Sequence, residues 1–131
     1  MISRTGTHAL RALAVLGDLP DGSYAGAAQI AARIEAPANY LGKLLQQLAR
    51  AGVVVGRKGS QGGFRLARGP KDITLLEALE PIENLMDERA CILGAGKCAH
   101  REPCSVHKKW SAVRAEYFSF LRTTTLAEVA V

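Results

Sequence analysis

The sequence predicts a mainly α fold carrying one small β-hairpin. Two observations predict it: apolar residues recur at helical spacing in five separate stretches, and a single β-branched run is followed by a glycine-rich turn and a second short strand. A third bounds the size, since 131 residues can bury one core without the help of disulfides.

The first stretch runs from Arg4 to Leu16, where Ala9, Leu10, Leu13, Ala14 and Leu16 recur at helical spacing, with Ser3 available as an N-cap and Pro20-Asp21-Gly22 as a stop. A shorter helix over Ala27 to Ile34 closes at Glu35-Ala36-Pro37. The third, Ala38 to Ala51, carries Tyr40, Leu41, Leu44, Leu45 and Leu48 on its apolar face and ends at Gly52. Two short helices separated by a tight turn, the second preceded by a proline, have the form of a helix-turn-helix.

Val53-Val54-Val55 then begins a strand, Arg57-Lys58-Gly59-Ser60-Gln61-Gly62-Gly63 supplies a turn, and Phe64-Arg65-Leu66-Ala67-Arg68 returns. Because this hairpin carries Arg57, Lys58, Arg65 and Arg68, it reads as the wing of a winged helix-turn-helix lying along a DNA backbone. Its glycines allow positive φ and let phosphates approach closely.

Thr74 is expected to cap a fourth helix through Leu75, Leu76, Ala78, Leu79 and Ile82, with Pro81 near its end or kinking it. Residues 87–103 lack a sustained period and contain Gly94-Ala95-Gly96, the signature of a loop. A long helix follows from Pro103 to Arg122, with Val106, Trp110, Val113, Tyr117 and Leu121 on one stripe and Phe118 and Phe120 beside it. Little in the chain is left to cover that stripe, so it is expected to be a homodimer seam, which would also set two recognition helices on a palindromic operator. A last helical turn is expected around Leu126 to Val129. The organisation predicted is a winged helix-turn-helix over residues 1–72, then a loop and a long C-terminal dimerisation helix over residues 73–131.

Charge divides along the same line. Residues 1–71 hold ten Lys/Arg against three acids, and residues 72–131 hold seven against nine, so a net +5 conceals a basic half beside a slightly acidic one. That is the footprint of a nucleic-acid-binding face joined to a control region. No run of eighteen apolar residues occurs and Met1-Ile2-Ser3-Arg4 lacks the apolar core of a secretory signal, which predicts a soluble, cytoplasmic protein with no membrane partner. Paired carboxylates, a nucleophile with its base, and a phosphate loop set between strand and helix are all missing, so enzymatic activity is not expected.

All three cysteines and one histidine fall within seventeen residues: Cys91, six residues, Cys98, five residues, Cys104, two residues, His107. An odd count cannot close into internal disulfides, and thiolate ligands fit better than staples. Three readings are open on chemistry alone: an iron-sulfur sensor, a structural zinc site, and a thiol-redox switch. The spacing has no short C-x2-C knuckle, which weighs against zinc. His8 and His100 are further candidate ligands.

Thr7-His8-Ala9-Leu10-Arg11-Ala12-Leu13, Ala36-Pro37-Ala38-Asn39-Tyr40-Leu41, Leu48-Ala49-Arg50-Ala51-Gly52-Val53-Val54, the wing from Arg57 to Leu66, and the terminal Thr125-Leu126-Ala127-Glu128-Val129 together resemble the family of iron-sulfur-sensing winged-helix transcription regulators. Repressors of iron-sulfur assembly operons and nitric-oxide-sensing repressors belong to it, and the resemblance covers nearly the whole chain. It implies that Cys91, Cys98, Cys104 and His107 hold a [2Fe-2S] cluster with Cys3His ligation. Relatives with a [4Fe-4S] cluster take an acidic ligand from the first helix, at the position of Thr7 here, and threonine is a poor iron ligand. The first interval of six residues is one longer than the family's usual five, a difference that a glycine-containing loop absorbs. An imidazole in place of one thiolate makes a cluster less negative and raises its potential.

For DNA reading, the resemblance places Asn39, Tyr40, Gly42 and Lys43 at the start of the recognition helix. Asn can pair bidentately with adenine and Lys can donate to guanine, whereas Arg57, Lys58 and Arg65, with Ser60, Gln61 and Gly62 in the wing turn, are expected to hold phosphates or the minor groove. The family's acid at the position of Gly42 is absent, so its operator preference does not transfer.

Overall fold

The structure, a computed structural model, describes residues 2–83, 85 and 105–129. Among the described residues there are five helices and one hairpin: α1 (Arg4–Gly17), α2 (Ala27–Ile34), α3 (Ala38–Arg50), β1 (Val54–Arg57), β2 (Gly63–Leu66), α4 (Leu75–Glu83) and α5 (His107–Thr123), with 3-10 turns at Pro70–Asp72 and Leu126–Glu128. This is the mainly helical architecture with one antiparallel hairpin that the sequence predicts.

Local chemistry accounts for the boundaries. Ser3 is extended and its Oγ accepts from the Gly6 amide at 3.0 Å, satisfying one of the free N–H groups at the start of α1. Glu83, in the last turn of α4, accepts from the Ser3 amide at 2.8 Å and from its hydroxyl, so one carboxylate fastens the start of α1 to the end of α4. Between α2 and α3 the chain turns at Glu35, whose φ of 57° is left-handed, and Pro37 then precedes α3 with an extended backbone. Thr74 caps α4 through its hydroxyl, which accepts from the Glu77 amide at 3.2 Å, and Pro81 lies within the helix rather than ending it.

The core is one cluster to which every helix contributes. Leu13 of α1, Ile30 and Ile34 of α2, Leu41, Leu45 and Leu48 of α3, Ile73, Leu79 of α4 and Leu121 of α5 are its large, fully buried side chains. Each leucine or isoleucine so removed from water contributes about 1.5–3 kcal/mol. Leu126 joins the same cluster, because the tail beyond α5 returns to the segment before α4. There the Leu75 amide donates to the Thr124 carbonyl and the Leu126 amide to that of Ile73, each at 2.9 Å, bracketing an antiparallel bridge between Thr74 and Thr125.

Two expectations for the last helix are corrected. α5 begins at His107, with Val106 as its N-cap, so Val106 precedes the helix; Pro103 lies outside the described residues. The apolar stripe also divides between two faces. Leu121 and Phe118 turn inward, where α5 packs against α4, whereas Val113 (52% exposed) and Phe120 (49%) remain on the surface. Leu121 therefore belongs to the chain's own core and Phe120 takes its place on the open stripe.

Candidate nucleic-acid interface

Leu41, Leu44, Leu45 and Leu48 draw one side of α3 into the core, which leaves Asn39, Lys43, Gln46 and Arg50 exposed along the other. Spacings of four, three and four residues keep these side chains on one stripe. Asn39 and Lys43 thus stand where a groove-reading helix needs donors. Gln46 completes their face and was not singled out from the sequence, although its place three residues beyond Lys43 carries the signal. Tyr40 is half-buried, its hydroxyl 3.1 Å from Nδ1 of His8 and the two rings edge to face at 5.5 Å, so His8 of α1 braces the start of α3. At Gly42 an added Cβ would meet only the Ala27 Cβ at 3.7 Å. Packing therefore does not require glycine there, and its effect falls on whatever α3 touches.

In the hairpin, Val54 pairs with Leu66, Val55 with Arg65, Gly56 with Phe64 and Arg57 with Gly63. A third stretch joins this sheet: the Ala25 amide donates to the Phe64 carbonyl at 2.9 Å and the Phe64 amide to that of Ala25 at 2.8 Å. The approach is so close that a Cβ at Gly63, where φ is 134°, would collide with the Ala25 backbone, and a Cβ at Gly62 with the Arg57 carbonyl. Contacts inside the protein therefore require both glycines. Lys58, Ser60 and Gln61 project at the exposed tip.

The wing cations differ in their surroundings. Arg68 donates to the Asp72 carbonyl at 2.9 Å and pairs with Glu77 at 2.6 Å, both side chains about half exposed, so it braces the foot of the hairpin. Arg57 reaches the Gln61 carbonyl at 3.3 Å, and Arg57 and Arg65 both lie over the ring of Tyr24, a residue absent from the sequence-based set.

Of the candidate metal ligands, Cys91, Cys98, Cys104 and His100 lie outside the described residues, and among the described residues no group of three His, Cys, Asp or Glu is placed to hold a metal. His107 is described, at the first position of α5. Its Nε2 lies 3.5 Å from the Ser111 hydroxyl, and its Nδ1 is buried with no hydrogen-bond partner among the described residues. Burying a ring nitrogen without a partner is unfavourable. A ring nitrogen placed in this way is suited to serve as a metal ligand.

The profile of Rrf2, described as iron-dependent transcriptional regulators, matches residues 2–131. The chain belongs to the Rrf2 family. It is a DNA-binding transcription regulator of that family rather than an enzyme. Among relatives, it is 32% identical over 131 residues to a protein of Aquifex aeolicus assigned as a helix-turn-helix-type transcriptional regulator, covering 98% of this chain and 90% of that one. It is 27% identical over 132 residues to the transcriptional regulator IscR of Cereibacter sphaeroides, covering 98% and 85%. Among solved structures, IscR of T. potens superposes with a TM-score of 0.75 at 28% identity, over 98% of this Rrf2 chain and 84% of that one. CymR, the global cysteine regulator of B. subtilis, superposes at 0.82 with 23% identity over 98% and 94%, a likeness of fold. Among the described residues no helix is long and apolar enough to cross a membrane.

Proposed function

We propose that this Rrf2-family regulator acts as a repressor whose DNA affinity is set by a [2Fe-2S] cluster on Cys91, Cys98, Cys104 and His107, reporting redox, iron-sulfur status or nitric oxide. It acts as a homodimer on a palindromic operator, residues 1–72 reading DNA and residues 73–131 carrying the ligands and the dimer helix. The Nδ1 of His107, buried with no hydrogen-bond partner among the described residues, carries the reading, because it puts an unsatisfied ring nitrogen three residues beyond Cys104. A cluster there would supply a charge and an electron count that change with the signal. Thr7 favours the same choice over a [4Fe-4S] cluster, since its hydroxyl donates to the Ser3 carbonyl at 3.2 Å and offers no carboxylate. Asn39, Tyr40 and Lys43 meet base edges; Arg57, Lys58, Ser60, Gln61, Gly62 and Arg65 hold the backbone or the minor groove. The exposed side chains of Val113 and Phe120 on α5 face the second copy.

The test is anaerobic purification followed by a visible spectrum and assays of iron, acid-labile sulfide and zinc per chain. Absorption at about 400 to 500 nm, iron and sulfide in near-equal amounts, and loss of both in Cys98→Ala are expected. A colourless protein with stoichiometric zinc after attempted reconstitution would replace the cluster by a structural zinc. A metal-free protein that loses DNA binding on oxidation would replace it by thiol chemistry.

A further inference from the structure

Tyr24 lies outside the recognition helix and outside the wing, yet two wing arginines converge on its ring. The guanidinium carbon of Arg57 is 4.7 Å and that of Arg65 5.3 Å from the ring centroid. Both lie inside the roughly 6 Å reach of a cation–π contact.

The sheet register explains the convergence. Ala25 bridges Phe64 in antiparallel sense, so Tyr24 falls opposite Arg65, and on the other side of β2 Arg65 pairs with Val55. Side chains alternate along strands, so Arg57, two residues beyond Val55, shares the face of Arg65 and Tyr24. The missing Cβ of Gly63 lets the third stretch approach closely enough for the ring to reach both cations. Two guanidiniums on neighbouring strands repel each other, and an aromatic face between them attracts each. The side-chain hydrogen bond described for Arg57 is a long one, to the Gln61 carbonyl at 3.3 Å, so the ring is its firmer restraint.

We propose that Tyr24 is a positioning residue of the DNA interface, holding Arg57 and Arg65 as a preorganised pair for adjacent phosphates of the duplex. The inference rests on the reading of the wing as a DNA contact. A long cation fixed before binding loses less rotamer freedom on docking, so affinity rises with no new contact to DNA.

The experiment uses the full chain and a random-sequence DNA duplex of about 30 base pairs, with affinity measured by fluorescence anisotropy across a range of salt. Tyr24→Leu is expected to weaken binding about five- to thirty-fold while leaving the salt slope unchanged, because both charges remain. Tyr24→Phe keeps the ring and is expected to bind like the natural protein. In an Arg57→Ala/Arg65→Ala background, Tyr24→Leu is expected to cost nothing further. A loss that persists undiminished in that background would assign Tyr24 to folding alone and overturn the proposal, as would Tyr24→Leu binding normally while Arg57→Ala binds weakly. If Arg57→Ala and Arg65→Ala each bind normally, these two arginines are not DNA contacts and the role of Tyr24 falls with them, whatever Lys58 contributes.

Discussion

Gln47, on α3, donates through Nε2 to the carbonyl oxygen of Pro81 at 2.8 Å. Pro81 lies in the last turn of α4, where carbonyls have no partner within their own helix, so the recognition helix supplies the missing donor. Together with the Ser3–Glu83 contact, this bond fixes the end of α4, just ahead of the cysteine-bearing segment, to α3 and α1. Gln47→Ala is expected to cost about 0.5 to 1.5 kcal/mol of stability in urea unfolding, whereas Gln46→Ala, one residue away and facing outward, is expected to be nearly neutral. Equal costs would deny the bond any part in holding α4.

The Tyr117 hydroxyl is buried with no hydrogen-bond partner among the described residues. Burial pushes its ionisation above the ordinary value near 10, and the Glu83 carboxylate pushes in the same direction. A raised value in the folded state means that the neutral phenol is favoured there. The associated stability is complete below the ordinary value and is lost as pH climbs through the raised one. Thermal unfolding between about pH 8 and pH 12 should therefore show a steeper alkaline decline for the natural protein than for Tyr117→Phe. Near neutral pH Tyr117→Phe should be at least as stable as the natural protein, since the hydroxyl it removes is buried with no hydrogen-bond partner among the described residues.

The two faces of α5 call for opposite outcomes. Leu121→Ala empties a fully buried site and is expected to cost about 2 to 5 kcal/mol. Phe120→Glu, about half exposed in one chain, should keep the fold and shift sedimentation from dimer to monomer. A Phe120→Glu protein that stays dimeric would place the seam elsewhere.

Asn39 and Lys58 should separate specificity from grip. Lys58→Ala is expected to weaken all sequences alike and lower the salt slope by about one, while Asn39→Ala should alter which base is preferred near the recognition helix. Selected-site sequencing and salt titration on the same two variants check both. A uniform loss from each would count against the division.

The helices were legible because each carries its own punctuation. Ser3, Pro37 and Thr74 mark three beginnings, and the leucines of residues 41–48 mark one buried face. The hairpin announced itself through its valines and glycines. What stayed hidden depends on distant segments meeting. Tyr24 gains meaning from the Ala25–Phe64 bridge, and His8 from Tyr40. Neither meeting leaves a periodic trace. At the end of the α5 stripe Phe120 and Leu121 are adjacent, and spacing alone does not say which one the core takes in.

The bridge between Thr74 and Thr125 has an evolutionary corollary. Residues 75–124 begin and end at this one place, with Glu83 and Pro81 holding α4 to α1 and α3 and Leu121 of α5 joining the core, so a change of length between α4 and α5 leaves both ends of the excursion anchored. Closure entropy changes by only about 0.6 kcal/mol for each doubling of a flexible loop. On the sequence reading of residues 87–103 as a loop, one residue more between Cys91 and Cys98 carries little closure cost. Under the proposed function, such a layout lets selection retune the ligand segment and the operator-reading surface on separate schedules.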